Sequence, residues 1–502
     1  MLAPVLSPRS FPAHRHAPHA NREPSTWRCG SARLGLVALS ALLVVGVAAC
    51  GGGGNGGSSL PAFWAATPAP APPASPEAPA APTPTYKVGG TVKGLLGTGL
   101  VLQNNAGDDL RIAANGSFSF ATEVASGSGY AVTVKSQSRI LTRVCTVSHG
   151  TGTVADAAIA DVAVVCAAPA ARFAYATNSG SDNLFPYTVD ASTGALGSMA
   201  APMPGTGHNP LAITVDPTGR FAYVANSGDS TVSAYAIGAG TGVLTPFATV
   251  ATGAMPMSMA VDPTGRFAYV ANAGASTVSA YTIDAATGAW RPMAVPVVAA
   301  GSSPHTITVD PTGRFVYVTN LGAEAVSAFA IDASSGALSP LAVPTVPAGV
   351  GASAMTLDPL GRFAYVVNMV DDTVSTYAID ASSGVLTPMP TVATGRSPRA
   401  IAVDATGRFA YVVNMAGNTV SAYRIDAGTG ALTPMALPTV AARASPTAIA
   451  LDPTGRFAYV TNYVSKDVSA YTIDADTGAL APMAVPTVAT GGIGPTSLAL
   501  SR

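Results

Sequence analysis

From Arg172 onward the apolar positions fall into short runs separated by polar turns, and the runs recur in a fixed order. Arg-Phe-(Ala/Val)-Tyr appears at Arg172, Arg220, Arg266, Arg314, Arg362, Arg408 and Arg456, at steps of 48, 46, 48, 48, 46 and 48 residues. Self-similarity at this period marks a repeat architecture. Each unit predicts four strands. In the unit beginning at Arg220 these are Phe221 to Ala225, Thr231 to Ile237, a looser Pro-containing run from Leu244 to Val250, and Met257 to Val261. Proline inside a strand favours a sheet edge, so the loose run belongs outermost. The fourth strand carries small residues at alternate positions, such as Ser258 and Ala260 or Ala400 and Ala402, which suits a crowded central axis. Runs apolar on both faces fit blades packed between two neighbours. The first unit has no inner strand before Arg172, and the last ends on an unpartnered one, Thr496 to Leu500. Pairing these two would close a ring and remove its open edges. The expected fold is therefore all-β, a seven-bladed β-propeller over 168–502.

Residues 86–167 lack the repeat. Alternating runs such as Ser117-Phe118-Ser119-Phe120 and Tyr130 to Val134, broken by Gly and Asn turns, predict a small β-sandwich. Upstream, Leu34 to Val47 is an apolar run preceded by Arg28 and Arg33, too short to span a bilayer comfortably. It reads as the core of a signal peptide over 1–49, with a long leader before Arg28 that points to a start downstream of Met1. The run ends Val47-Ala48-Ala49-Cys50 and is followed by glycines, which resembles the lipobox of bacterial lipoproteins. That resemblance implies cleavage before Cys50 and a lipid anchor on its thiol, with the membrane as partner. Gly51, rather than Asp, then favours the outer membrane. Residues 50–85 are rich in Gly, Ser, Ala and Pro and predict an extended stalk.

Charged residues make up 10% of the chain and the formal net charge is −1. Neither a basic stripe nor a global field is present to draw nucleic acid, and a monomer is expected. With Cys29 in the leader and Cys50 lipidated, Cys145 and Cys166 remain. An oxidising envelope predicts a disulfide between them. Asn104-Asn105-Ala106-Gly107-Asp108-Asp109 lacks a full calcium ligand ladder and reads as a turn.

Tyr223-Val224-Ala225-Asn226, Tyr317-Val318-Thr319-Asn320 and Tyr459-Val460-Thr461-Asn462 resemble the Tyr-Val-Thr-Asn propeller repeat. The Asp-Pro-Thr-Gly-Arg turns resemble those of the lactonase-family propellers, which include 6-phosphogluconolactonase and carboxymuconate-cyclising enzymes. The resemblance covers 172–502 and implies a fold. Its repeated residues are scaffold, so it implies activity only weakly.

Residues present in every blade are expected to be structural. Asp216, Asp262, Asp310, Asp358, Asp404 and Asp452 should open tight turns, with Gly three positions on at positive φ. The Arg after each turn is expected to pair with an Asp, and Asn226 and its six equivalents to cap the turn that follows. Chemistry needs asymmetry instead. Aligned inner strands give one variable position at the channel mouth: Leu211, Met257, His305, Ser353, Arg399, Thr447 and Thr496. His208, Arg396 and Arg443 lie just before it, and Glu324, Asp371, Asp372 and Lys466 farther out on the same face. His208, His305, Arg396, Arg399 and Arg443 are the candidate ligand-binding residues, with His305 and Arg399 the catalytic candidates. They suit an anionic or lactone-like ligand with His as general base. No metal-ligand spacing, Gly-x-Ser-x-Gly elbow or phosphate loop is present, so no cofactor or metal is expected. Two functions follow: an envelope-anchored module binding a ligand or protein partner, or a lactone hydrolase.

Overall fold

The computed structural model describes residues 82–138 and 143–502. The signal peptide, Cys50 and the stalk expected before residue 82 lie outside them. The described residues fold as two β assemblies without helices.

The first comprises two four-stranded sheets. One orders Gly116–Ser119, Val88–Lys93, Ile159–Ala167 and Val144–Ser148; the other orders Asp108–Ile112, Leu100–Asn104, Gly129–Ser136 and Thr151–Thr153. Alternation fills the space between them: Val162, Val164 and Cys166 turn inward from one strand and join Val88, Val92, Leu100, Leu102 and Phe120 in a single core. Cys145 and Cys166 are cross-strand partners and form a disulfide, their Cα atoms 3.8 Å apart. Asn104 to Asp109 is a plain hairpin turn between paired strands.

The second assembly has seven four-stranded sheets. Blades 2 to 7 each run inner strand first, as in blade 2: Pro210–Val215, Phe221–Asn226, Thr231–Ile237, Leu244–Ala251. Blade 1 takes Phe173–Asn178, Asn183–Val189 and Leu196–Ser198 from the start of the repeat and Pro495–Ser501 from the end. The closing pair is antiparallel, with Ala174 opposite Leu500 and Ala176 opposite Leu498. The outer strand of blade 1 shrinks to three residues beside Pro186, which has no N–H to donate.

The Arg-Phe-x-Tyr motif is a latch between blades. Tyr365 Oη donates to the Gly430 carbonyl of the next blade at 2.9 Å, and Tyr459 of blade 7 reaches Gly194 of blade 1 at 2.7 Å, across the closure. Each such Gly has positive φ, and a Cβ there would meet the preceding blade's Phe; at Gly384 it would lie 2.5 Å from Phe315. Burial raises the phenol pKa at each latch, so these tyrosines stay donors.

The expected Arg–Asp pairing does not form in general. Asp216 is buried and accepts the backbone N–H groups of Thr218, Arg220 and Phe221, at 3.0, 2.8 and 2.7 Å, which fixes the turn. Arg220 instead stacks on Phe221, bonds Thr218 and donates to Ala285 of the next blade at 2.5 Å. In blade 5 Leu360 replaces the Thr, and there alone among these turns Arg362 turns to Asp358, at 3.3 Å. The repeated Asn also does more than cap a turn. Asn226 is fully buried and donates to Thr231 and Ser233 of the adjacent strand, at 3.0 and 2.9 Å.

Candidate functional site

The loop entering each inner strand zips to the loop leaving the buried Asn. Ser227 N–H donates to Asn209 O at 3.0 Å, Ala273 to Met255 at 2.9 Å and Met415 to Ser397 at 2.8 Å. Non-Gly residues at this incoming position, such as Asn209, Met255, Ser303, Ser397 and Ser445, sit at positive φ, held there by the pairing. The same face therefore carries both loop sets, and the first inner-strand side chains point into the channel between them.

A cavity of about 190 Å³ lies there, lined by Leu211, Met257, His305, Arg399, Thr447 and Thr496 together with small residues of the next positions. Six of the seven variable positions read from the sequence thus meet. The seventh, Ser353, is fully buried and does not line the cavity; its carbonyl accepts from His305 Nδ1 at 2.6 Å. Thr306 Oγ1 donates to the same carbonyl at 2.8 Å.

This hydrogen bond fixes the imidazole tautomer, leaving Nε2 as the lone-pair atom. Burial in the channel, with the Arg399 charge next in weight, lowers the His305 pKa to about 4, against a smaller opposing effect of the Ser353 bond. His305 is therefore neutral at neutral pH. Arg399 is itself desolvated, which lowers its pKa, and its only hydrogen-bonding side-chain partner among the described residues is Met369 Sδ at 3.7 Å. No carboxylate lines the cavity with it. A cation taken from water without a counter-charge is a ready partner for a bound anion or a developing oxyanion.

The other three candidates do not line this cavity. His208 is largely exposed and pairs with Asp182 at 2.8 Å, a bond that raises the histidine's pKa. Arg396 is exposed on the same loop position of blade 6. Arg443 stands where blades 2 to 6 have Gly207, Gly253, Gly301, Gly349 and Gly395, and bonds Asp467 at 3.1 Å; Asp467 in turn accepts from the buried Asn462 at 2.8 Å. Arg and Asp together replace the Gly and Thr of blades 2, 3, 5 and 6, so this pair holds the blade.

A larger cavity, about 400 Å³, lies at the opposite end of the channel. It is ringed by Pro217, Pro263, Pro311, Pro359 and Pro453 of the repeated turns and bordered by Leu96 and Arg143 of the sandwich. Arg143 donates to carbonyls of Gly94, Cys166 and Ala405 at 3.3 to 3.4 Å. Asp216, Ser501 and Arg502 also line it, but Asp216 is occupied by the backbone N–H groups of its turn and Ser501 donates to Gly219 O at 3.3 Å, so the polar groups here serve the scaffold. Among the described residues no cluster of three His, Cys, Asp or Glu could hold a metal.

A seven-bladed propeller with its asymmetric residues gathered at one channel mouth is the class defined by this geometry. The sequence matches the seven-bladed β-propeller lactonase family over residues 110–247, 198–300 and 293–493, and the chain belongs to that family. No curated protein matches it. Among solved structures, the periplasmic gluconolactonase PpgL of Pseudomonas aeruginosa is similar at 21% identity and a TM-score of 0.59, covering 66% of this chain and 99% of that one. A candidate 6-phosphogluconolactonase of Bacteroides fragilis is similar at 21% identity and TM-score 0.59, covering 66% and 98%. A Lactobacillus plantarum protein has 22% identity and TM-score 0.57, covering 66% and 100%. These likenesses are in fold.

Proposed function

We propose that the protein hydrolyses lactones at the mouth of its propeller channel. Family membership favours this over the non-catalytic binding module that was the first expectation. The observation that carries it is the placement of one desolvated, carboxylate-free guanidinium and one tautomer-fixed neutral imidazole in a single cavity.

In this reading the lactone carbonyl oxygen lies against Arg399. Water adds to the carbonyl carbon, and the guanidinium stabilises the oxyanion that forms. Nε2 of His305 orients that water and takes its proton as the C–O bond forms. Collapse breaks the ring ester bond, the ring oxygen takes the proton, and a hydroxy acid results. A base of such low pKa is weak, so its leverage is orientation more than proton affinity, and Arg399 supplies the larger share. The product carboxylate would sit on the same guanidinium.

We further propose that the protein works outside the cytoplasm. The disulfide and the periplasmic relative in fold support export. The lipid anchor at Cys50 is a proposal from sequence alone. The test of the activity is proton release from a panel of γ- and δ-lactones with the purified full chain and its His305→Gln and Arg399→Thr variants. Turnover that falls in both variants is expected; turnover indifferent to both would overturn the assignment.

A further inference from the structure

The walls of the channel constrain which lactone fits. Among the described residues no Asp, Glu, Asn or Gln lines the cavity, so none of them offers a side-chain carbonyl or carboxylate to sugar hydroxyls there. The threonine hydroxyls are already committed: Thr306 donates to Ser353 O at 2.8 Å, Thr447 to Pro495 O at 3.0 Å and Thr496 to Pro210 O at 3.0 Å. Ser258 and Ser497 remain, accepting weakly from Ile307 and Ile213 N–H at 3.4 Å. A polyhydroxylated ring entering this space would meet the guanidinium of Arg399, Nε2 of His305 and the lone pairs of hydroxyls that already donate elsewhere, too few partners for all of its hydroxyls. A phosphorylated one would bring a charge near −2 to a single lining cation.

One side of the wall is apolar. Leu211 and Met257, on adjacent blades 2 and 3, line the cavity with Ala212, Ala354 and Ala400. Met369 flanks the guanidinium of Arg399. Outside the cavity, the incoming and outgoing loops of this face expose Met255, Val350, Val370, Tyr463, Val464 and Ile493, where a soluble surface would ordinarily be polar. A cavity of about 190 Å³ is of the size that holds a small ring. A substituent would therefore leave across the apolar loops.

We infer that the channel selects lactones bearing an apolar substituent and few hydroxyls, an alkyl-substituted γ- or δ-lactone, over sugar and sugar-phosphate lactones. Leu211 and Met257 are the specificity-determining wall, and Arg399 takes the carbonyl or the product carboxylate. The inference rests on the lactone-opening reading above and names its substrate class.

The experiment compares δ-decanolactone with glucono-δ-lactone on the full chain, and 5-hydroxydecanoate with gluconate as bound products by calorimetry. The variants are Leu211→Thr and Met257→Thr, chosen because blades 7 and 1 carry Thr at this position in Thr447 and Thr496. The expected result is a kcat/KM at least about tenfold higher for the alkyl lactone, a ratio that shrinks several-fold in each variant. Preference for the gluconolactone, or a preference that neither variant moves, would overturn the selectivity and leave lactone opening standing. Tighter binding of 5-hydroxydecanoate with no lactone opened would support the apolar selection and sink the hydrolytic reading. Neither turnover nor binding of either pair would sink both.

Discussion

The latch ring and the channel ring use the same seven strands' worth of repetition to opposite ends. At the latch, Arg, Phe and Tyr recur in every blade and each meets an equivalent partner in the next, so that Tyr365 on Gly430 and Tyr459 on Gly194 are one interaction made at two places. At the channel, the equivalent position in each blade is filled by Leu, Met, His, Ser, Arg, Thr and Thr, and all but Ser353 converge on a shared space. Sevenfold symmetry makes a stable toroid but presents identical groups to its axis. A reaction that distinguishes a carbonyl carbon from its oxygen needs unlike groups on opposite sides. The difference shows where variation was structurally tolerated: lumen side chains that reach the next blade, such as His305, Thr447 and Thr496, bond backbone carbonyls that any donor can use, whereas each latch Tyr needs a matching Gly.

That contrast can be broken most strongly at the latch glycines. Gly384→Ala places a Cβ against Phe315 at positive φ. A loss of about 4 kcal/mol in unfolding free energy is expected from strain and overpacking together, read by denaturant melts. A melt within 1 kcal/mol of wild type (roughly the ordinary spread for a point mutant) would show that the blades are not held this way. Tyr365→Phe should cost about 1–3 kcal/mol, because the buried Gly430 carbonyl loses its donor while the ring still packs. The effect should be similar for Tyr459→Phe at the closure, and a much larger loss there would mean that the ring seam is weaker than the other interfaces.

Acid sharpens the comparison at the channel. The folded-state pKa of His305 is depressed to about 4 from an ordinary value of 6.5. The unfolded chain thus binds the proton first as pH falls. The stability contributed by keeping His305 neutral is present above the unfolded value and is lost as pH drops from 6.5 toward 4. His305→Gln should flatten that part of the stability–pH curve by on the order of 2 kcal/mol; an unchanged curve would place His305 in water. A ligand carboxylate on Arg399 should raise the His305 value, visible as a shifted imidazole titration by NMR. Smallest of all, His208→Ala should leave the denaturant melt and turnover close to wild type, since its pair with Asp182 is exposed and screened by water.

Much of the fold was legible because periodicity and closure are one-dimensional properties. The count of blades, the outermost Pro-containing strands and the pairing of the last strand with Phe173–Asn178 all follow from where the repeat starts and stops. The disulfide was legible once Cys29 and Cys50 were assigned to the expected leader and anchor, which left Cys145 and Cys166. What the latch residues bond to was not. Arg220 was expected to meet an Asp, but that carboxylate is consumed by backbone N–H groups, a demand invisible in a charge count. The site was legible to the same extent as the inner-strand register: His305 and Arg399 share it and line the cavity, while His208, Arg396 and Arg443 sit on loops whose lateral reach depends on three-dimensional pairing. Asp467, at a third-strand position that is Thr in four other blades, was the signal that Arg443 had a structural partner. The bond from His305 to the Ser353 carbonyl of the next blade depends on a side-chain rotamer and left no trace in sequence.

The account turns on the channel being where bonds are made and broken, and Arg399→Thr examines that most directly. The variant removes the lining cation and installs the residue that blades 7 and 1 already carry at the same position. Assayed on the best lactone of the panel, it should keep the wild-type melting temperature and lose about 10²–10³ in kcat, as for removal of a principal oxyanion donor. A folded Arg399→Thr protein that opens the lactone at the wild-type rate would contradict the account.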